Sequence, residues 1–121
     1  MKFDFVYRDN AYSTYFYEKG QLCHSLNLIG YKFRQIEKDV KESITYADLV
    51  KKYEIKTLDH STGLKELKVD RIRVIHFVYH DDTFVYLGTF LKKTKKTPFG
   101  QIVKNNLRIK RYLEERKNEN D

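Results

Sequence analysis

The sequence predicts an α+β fold, with a small, mainly antiparallel sheet, two N-terminal helices and a C-terminal helix. A change of period carries this prediction. Apolar residues recur at three- and four-residue steps in the first half, and after Thr57 they alternate with polar ones at a period of two. Thr97-Pro98 then marks the start of a last helix, with Thr as the N-cap and Pro at the first helical position. This order of elements is typical of helices packed on one face of a sheet.

The N-terminal half begins with a predicted strand at residues 2–7, where aromatic side chains alternate. Residues 9–20 have no clear period and are interpreted as an irregular connection or a frayed helix start. An amphipathic helix of about 20 residues follows, and its apolar positions are Leu22, Leu26, Ile29, Phe33, Ile36 and Val40. Thr45 and Asp48 indicate the start of a second, short helix, which ends near Tyr53 and has Leu49, Val50 and Tyr53 as its apolar face.

Three strands joined by short turns are predicted next, as an antiparallel meander. The first contains Leu67 and Val69, and the last runs from Thr83 to Leu91 after a turn at residues 80–82. In the middle strand Ile72, Val74, His76 and Val78 share one face, and Arg71, Arg73, Ile75, Phe77 and Tyr79 share the other. Because all helices are expected on one side, the other face of the sheet is expected to be open. Arg73 and the lysine-rich end of the last strand can then both reach it.

The C-terminal helix is predicted to be partly amphipathic, with apolar residues at Ile102, Val103, Leu107, Ile109 and Leu113. Lys104, Arg108 and Arg111 recur at steps of four and three, so they form a basic face. The polar tail after about Arg116 is expected to fray. With no repeat or linker in its 121 residues, the chain is expected to form a single domain over 1–121.

Composition excludes several classes of protein. The chain is 40% hydrophobic and carries 10 Tyr and 8 Phe, which excludes a disordered chain. Its one cysteine, Cys23, has no internal disulfide partner. No apolar run approaches the roughly 18 residues that a membrane helix needs. The acidic Asp4 interrupts the first apolar stretch, which is untypical of a signal peptide. A cytoplasmic protein without membrane contact is therefore expected.

Positive charge is concentrated near the C-terminus. The formal net charge is +7, and the stretch from Lys92 to the end holds ten Lys and Arg against four Asp and Glu. The first 91 residues are thus close to neutral. A local positive field favours a polyanion-binding site, whereas an evenly spread charge indicates only a soluble basic protein.

Motifs for cofactor or metal chemistry are missing from the sequence. The histidines and Cys23 lack the spacing of metal ligands, and no Gly-rich phosphate loop or nucleophile elbow occurs. His76 is interpreted as a packed or partnered core imidazole, and Asp81 and Asp82 as turn residues. No cofactor is therefore expected.

Two segments carry the candidate chemistry. Lys92, Lys93, Lys95 and Lys96 lie within five residues, so one ammonium with a lowered pKa can transfer protons while the others hold a phosphate. The alternative is a solvated loop. Arg73 projects from a stiff strand and can grip a phosphate in two places. Its alternative role is an ion pair, with Glu66 as a candidate partner.

Three motifs in order resemble a known family. They are Gly63-Leu-Lys-Glu-Leu-Lys68, Arg71-Ile-Arg-Val-Ile75 and Phe90-Leu-Lys-Lys-Thr-Lys-Lys-Thr-Pro98. Together they are similar to motifs of the RelE/ParE superfamily of toxins, in its HigB-like, phage-derived branch, and the resemblance spans roughly Gly63 to Leu113. It implies a RelE-like fold and an mRNA interferase. Such an enzyme is a metal-independent endoribonuclease that inhibits translation, often on the ribosome, and leaves a 2′,3′-cyclic phosphate.

The resemblance also implies site residues. Arg73 matches the family's phosphate-stabilising strand arginine, and Lys93 falls where a second basic catalytic residue is found. We expect Lys68, which replaces an arginine, and Lys96 to complete the catalytic set. Phe99 lies near the position of a catalytic tyrosine and can stack on a base without exchanging a proton. The expected RNA-binding residues are Lys92, Lys95, Arg71, Phe99, Lys104 and Arg108.

Partners follow from the same resemblance. It implies a cognate helix-turn-helix antitoxin, HigA-like, and mRNA as the substrate, with operator DNA contacted only through the antitoxin. Two alternatives stay open. One is a ParE-like toxin that inhibits DNA gyrase by binding, without enzymatic activity, and the other is a basic RNA-binding module.

Overall fold

The described part of the chain folds around a five-stranded sheet. The computed structural model describes residues 1–4, 34–69, 71–91 and 95–120. The described helices are α1 (34–42), α2 (Tyr46–Lys52) and α3 (Phe99–Asn120), and the described strands are β1 (Lys2–Asp4), β2 (Glu54–Asp59), β3 (Leu64–Val69), β4 (Ile72–Tyr79) and β5 (Thr83–Leu91). The sequence predictions for residues 5–7, for the connection 9–20 and for the helix before residue 34 lie outside this part of the chain. None of the described helices is long and apolar enough to cross a membrane.

The sheet has the order β1-β5-β4-β3-β2, and only the β1–β5 pair is parallel. The predicted mainly antiparallel sheet is thus confirmed. The meander contains four strands instead of three, because β2 pairs with β3 at the sheet edge. We missed β2 because it has few apolar residues and its alternation is short. His80 and Asp81 have positive φ angles of 52° and 60°, which fit the predicted tight turn between β4 and β5.

Helices cover both faces of the sheet, so the expectation of an open face is wrong. On one face Ile36 and Val40 of α1 and Leu49 of α2 pack against β3, β4 and β5. On the other face Ile109 and Tyr112 of α3 pack against the same strands. The reason lies in β4, where apolar side chains point to both sides and require cover on each.

His76 is buried on the α1–α2 face, as the sequence predicted. Its Nδ1 lies 3.1 Å from the carbonyl oxygen of Val74, which can only accept, so Nδ1 is the donor. Its Nε2 then accepts a hydrogen bond from the Tyr46 hydroxyl at 2.7 Å. The ring also stacks on Phe84 with centroids 4.2 Å apart. These contacts give the imidazole a structural role that ties α2 to the sheet.

Helix α2 has the predicted start. The Thr45 backbone N–H donates to the Asp48 carboxylate at 3.0 Å, which satisfies one donor at the N-terminus. Leu49 is buried as expected, whereas Val50 is 47% exposed and does not belong to the apolar face.

Helix α3 departs from its prediction at both ends. It begins at Phe99, and the backbone N–H groups of Gln101 and Ile102 both bond to the carbonyl of Pro98. Thr97 is not the cap, because its hydroxyl donates to Glu66 instead. At the other end the helix continues to Asn120 through residues expected to fray. Arg116 holds this end by pairing with Asp4 of β1 at 3.0 Å.

Candidate functional site

Arg73 lies on the face of the sheet that α3 covers. In the ladders it is opposite Lys68 of β3 and Phe90 of β5, so those side chains share its face. Its Nε is 3.3 Å from Oε1 of Glu66, and its Nη1 donates to the Ile72 carbonyl at 3.1 Å. The guanidinium is thus held in a fixed orientation. The predicted alternative, an ion pair with Glu66, is present.

Both members of this ion pair are buried. The Arg73 side chain is 10% exposed and that of Glu66 is 4% exposed. Buried charges of opposite sign depend strongly on each other, since removing one leaves the other without compensation. The small exposed fraction means that a phosphate can reach Arg73 over a small part of its side chain at most.

Glu66 connects Arg73 with the lysine segment. The Thr97 hydroxyl donates to Oε1 of Glu66 at 3.0 Å, the same oxygen that faces Arg73. This contact fixes the segment before α3 beside the arginine. Lys95 and Lys96 precede Thr97 and are exposed. The structure therefore brings the exposed end of the lysine segment to the Arg73 pair, whereas Lys92 and Lys93 lie outside the described residues.

Lys68 and Arg71 form an exposed rim near Arg73. Lys68 is opposite Arg73 and pairs with Glu54 of β2 at 3.4 Å, with both side chains largely exposed. Such a solvent-screened pair contributes little to stability, so the ammonium group can exchange its partner for a phosphate.

Arg108 of α3 contacts the backbone of strand β5. Its guanidinium donates to the carbonyl oxygen of Leu87. The register of the β4–β5 ladder shifts at this point, because Ile75 pairs with Gly88 and His76 with Tyr86, leaving Leu87 as the extra residue of a bulge. A bulge frees a backbone group from the ladder, and here a side chain of α3 takes up that carbonyl.

Gly88 permits this approach. A Cβ atom at that position would lie 3.2 Å from Nη1 of Arg108 and 3.3 Å from Oδ1 of Asn105. Asn105 is buried, and within the described part of the chain no donor reaches its Oδ1. A glycine inside a strand often marks a close approach of another group, which is the signal that sequence reasoning overlooked here.

The outer basic side of α3 continues from Arg108. Lys104, Arg108 and Arg111 line a shallow pocket of about 530 Å³ together with Gly100, as the predicted basic face requires. Partial burial, and then the charge of Arg108, lower the pKa of Lys104. Phe99 begins the helix and is 78% exposed as a residue, so a base can stack on its ring.

The predicted residues thus separate into three groups. Arg73 and Lys68 are neighbours on the sheet, Lys95 and Lys96 are tied to them through Thr97, and Phe99, Lys104 and Arg108 lie on α3. Sequence reasoning missed the link between Thr97 and Glu66, because Thr97 fitted an N-cap. Glu66 and Thr97 belong to two different motifs, which are 31 residues apart at this contact, and neither motif indicated that the two side chains meet.

A comparison with protein families places the chain in a family. A family model described as "Phage derived protein Gp49-like (DUF891)" matches residues 27–110, more than two thirds of the chain. The match includes Glu66, Arg73 and the lysine segment, as well as α3 up to Lys110. The sequence matches none of the curated proteins with which it was compared. The chain therefore belongs to the Gp49-like phage-derived protein family, a toxin-like family of the type II toxin-antitoxin kind, whose toxins are often endoribonucleases.

Proposed function

We propose that this protein is the toxin of a type II toxin-antitoxin system and acts as a metal-independent mRNA endonuclease of the HigB-like, RelE-type class. It inhibits translation by cutting mRNA, in association with the ribosome, and a HigA-like antitoxin neutralises it in the cytoplasm. The observation that carries the proposal is the shared carboxylate of Glu66. It orients Arg73 and accepts a hydrogen bond from Thr97, which directly follows Lys95 and Lys96 in the chain.

The reaction uses the 2′-hydroxyl of the RNA as its nucleophile. A base removes the hydroxyl proton, the oxygen attacks the adjacent phosphorus, and the 5′-oxygen leaves with a proton from an acid. Charge develops on the non-bridging oxygens, where a preorganised guanidinium stabilises it. We assign that role to Arg73, which the ion pair already orients. Lys93 is assigned proton transfer, and Lys68 and Lys96 add positive charge at the phosphate.

The remaining basic and aromatic residues bind the RNA chain. Lys92, Lys95 and Arg71 contact phosphates around the cut, and Lys104 and Arg108 extend the path along α3. Phe99 stacks on a base. Support for this division comes from exposure, since Lys95, Arg71 and Phe99 are exposed whereas Arg73 is buried. Phosphate contacts position a nucleic acid. We therefore assign the exposed cations to positioning the RNA and the buried Arg73 to the phosphate that reacts.

The proposal is tested by inducing the protein in bacteria and following macromolecular synthesis. An mRNA endonuclease stops incorporation of labelled amino acid first and produces new mRNA 5′ ends. A ParE-like gyrase inhibitor stops thymidine incorporation first and leaves mRNA intact. A binding module without activity leaves mRNA intact as well. Intact mRNA during growth arrest would therefore reject the endonuclease.

The antitoxin is tested in the same strain. Co-expression of the small gene next to this one is expected to restore growth and give a stable complex. If the neighbouring product neither binds nor restores growth, the toxin-antitoxin part of the proposal fails. The cleavage assay is independent of that result.

A further inference from the structure

Helix α3 has a second apolar face, which points away from the sheet. Ile109 and Tyr112 are buried against the sheet, as expected for the inner face of the helix. Val103, Leu107 and Leu113 are 43%, 60% and 43% exposed, although the sequence analysis counted them with Ile109 among the apolar positions of the helix. Three aliphatic residues left at the surface of one helix form a patch, and such patches often mark binding sites.

These residues line a groove. Val103, Leu107 and Leu113 face Ser61 and Thr62 of the turn between β2 and β3 across a cavity of about 560 Å³. Thr62 is held in place, since its hydroxyl donates to Asn106 of α3 at 2.8 Å. We call this cavity the outer groove. Its aliphatic lining and open shape suit an amphipathic helix, which buries side chains at helical spacing in such grooves.

One edge of the outer groove is basic. Val103 and Leu107 also border the shallow pocket that Lys104, Arg108 and Arg111 line, so the cations run parallel to the aliphatic row. Between Phe99 and Leu113 the sequence contains four Lys and Arg and no Asp or Glu. A second copy of this chain would bring like charges together, and RNA offers no aliphatic surface. An acidic amphipathic helix of a protein matches both the aliphatic row and the basic edge of the outer groove.

We propose that the outer groove binds an amphipathic helix of a protein partner, with aliphatic side chains against Val103, Leu107 and Leu113 and carboxylates against the basic edge. This names the docking surface of the antitoxin in the proposed function and rests on that function for the partner's role. Carboxylates at Lys104 and Arg108 also occupy cations assigned to RNA. Partner binding therefore competes with RNA along α3.

The test uses two synthetic helical peptides of about 18 residues, or five turns, as probes. Both carry the same row of leucines, and the flanking positions are Glu in one and Lys in the other. The Glu peptide is expected to bind the full-length protein at least about tenfold more tightly than the Lys peptide. It is also expected to lower the affinity of the protein for single-stranded RNA. Equal binding of the two peptides, or unchanged RNA affinity, would overturn the proposal.

Leu107→Gln tests the groove itself, because it removes the most exposed member of the row without altering charge. We expect it to weaken the Glu peptide about tenfold while RNA cleavage stays unchanged. Ile44→Gln is the matched control, since Ile44 is 89% exposed and lies outside the groove. Val103→Gln is the second variant if Leu107→Gln melts early. Unaltered peptide binding in a folded groove variant overturns the proposal.

Two further results separate the alternatives. Sedimentation that shows a dimer in the wild type and a monomer in Leu107→Gln would assign the groove to a second copy, against the proposal. Loss of RNA binding in Leu107→Gln would assign it to RNA, also against it. If the Glu peptide binds as expected while the wild type cleaves no RNA, the docking surface stands and the proposed endonuclease fails.

Discussion

At the scale of single residues, the carboxylate of Glu66 connects two parts of the candidate site. Its Oε1 faces Arg73 and accepts a hydrogen bond from Thr97, so one carboxylate orients the arginine and anchors the chain next to Lys95 and Lys96. Glu66→Gln leaves the buried Arg73 charge uncompensated. We expect the free energy of unfolding to fall by about 3 kcal/mol, measured by urea denaturation.

The matched control is Glu54→Gln, which removes the exposed partner of Lys68 and should change stability by less than about 1 kcal/mol. The double change of Glu66 and Arg73 to Met removes both charges and should recover most of the loss. That folded double variant is expected to lose catalysis by about 100-fold or more. Full cleavage by it would remove Arg73 from the reaction.

His76 makes stability depend on pH. Burial lowers the pKa of its imidazole from 6.5 to about 3 in the folded chain. The unfolded chain therefore takes up a proton first as the pH falls below 6.5, and the folded state loses stability. The loss is up to about 1.4 kcal/mol for each pH unit until the folded pKa is reached.

The measurement is the free energy of unfolding by urea at pH 7 and at about pH 5. His76→Gln should be less stable at pH 7 and should show a flatter pH dependence. His60→Gln, at an exposed position, should keep the wild-type slope. An equal slope in His76→Gln and the wild type would mean that other groups cause the acid sensitivity.

At the scale of elements, the contact between α3 and β5 depends on Gly88. The bulge at Leu87 and the missing side chain at Gly88 let Arg108 and Asn105 lie against the strand. Gly88→Val inserts atoms where a Cβ already has neighbours at 3.2 and 3.3 Å. We expect it to lower the unfolding free energy by about 1–3 kcal/mol through overpacking.

Gly100→Ala, in α3 itself, is expected to raise the free energy of unfolding. A Cβ at Gly100 meets no atom within 4 Å, and alanine favours the helix by up to about 1 kcal/mol. The two variants should thus shift the thermal midpoint in opposite directions in calorimetry. If Gly88→Val left the thermal midpoint unchanged, α3 would be able to shift over β5. Arg108 would then not be held rigidly relative to Arg73.

Helices and strands were predicted correctly from the sequence where burial of one face makes apolar residues recur at a regular spacing. The β4–β5 pair and the buried positions of α1 and α2 follow the apolar pattern. The prediction failed at β2, where the strand lies at an edge with one neighbour and its pattern is mostly polar. It also failed at Thr97, because a hydroxyl that caps a helix and one that bonds a distant carboxylate have the same sequence signature.

At the scale of the whole molecule, the alternating side chains of β4 indicated that the sheet has two faces. They did not indicate which helices cover each face. Both faces of that strand are apolar, so α3 had to lie opposite α1 and α2. This placement affects the site, because Arg73 lies on the face of the sheet that α3 covers and is buried there instead of lying on an open sheet. The sequence motifs were sufficient to select the candidate residues. How deeply each one is buried depends on packing between elements that are distant in the sequence.

The concentrated charge predicts how the molecule binds RNA. Each lysine that contacts a phosphate releases about one counterion, so Lys95→Gln should weaken binding and reduce the salt slope by about one unit. Lys41→Gln removes an equal charge from α1, where Lys41 pairs with Glu37 at 3.0 Å, and should leave the slope unchanged. Titrations of single-stranded RNA at several salt concentrations give both slopes. Equal reductions would indicate a diffuse field instead of a site.

The most direct test of the central claim is cleavage of an end-labelled mRNA by the purified protein in EDTA, with and without ribosomes. We expect fragments that end in a 2′,3′-cyclic phosphate and a 5′-hydroxyl. We also expect that a single 2′-deoxynucleotide at the cut position blocks that cut, because the attacking hydroxyl is gone. Cleavage that persists at the deoxynucleotide, or no cleavage under either condition, would rule out a metal-independent endonuclease that uses the 2′-hydroxyl.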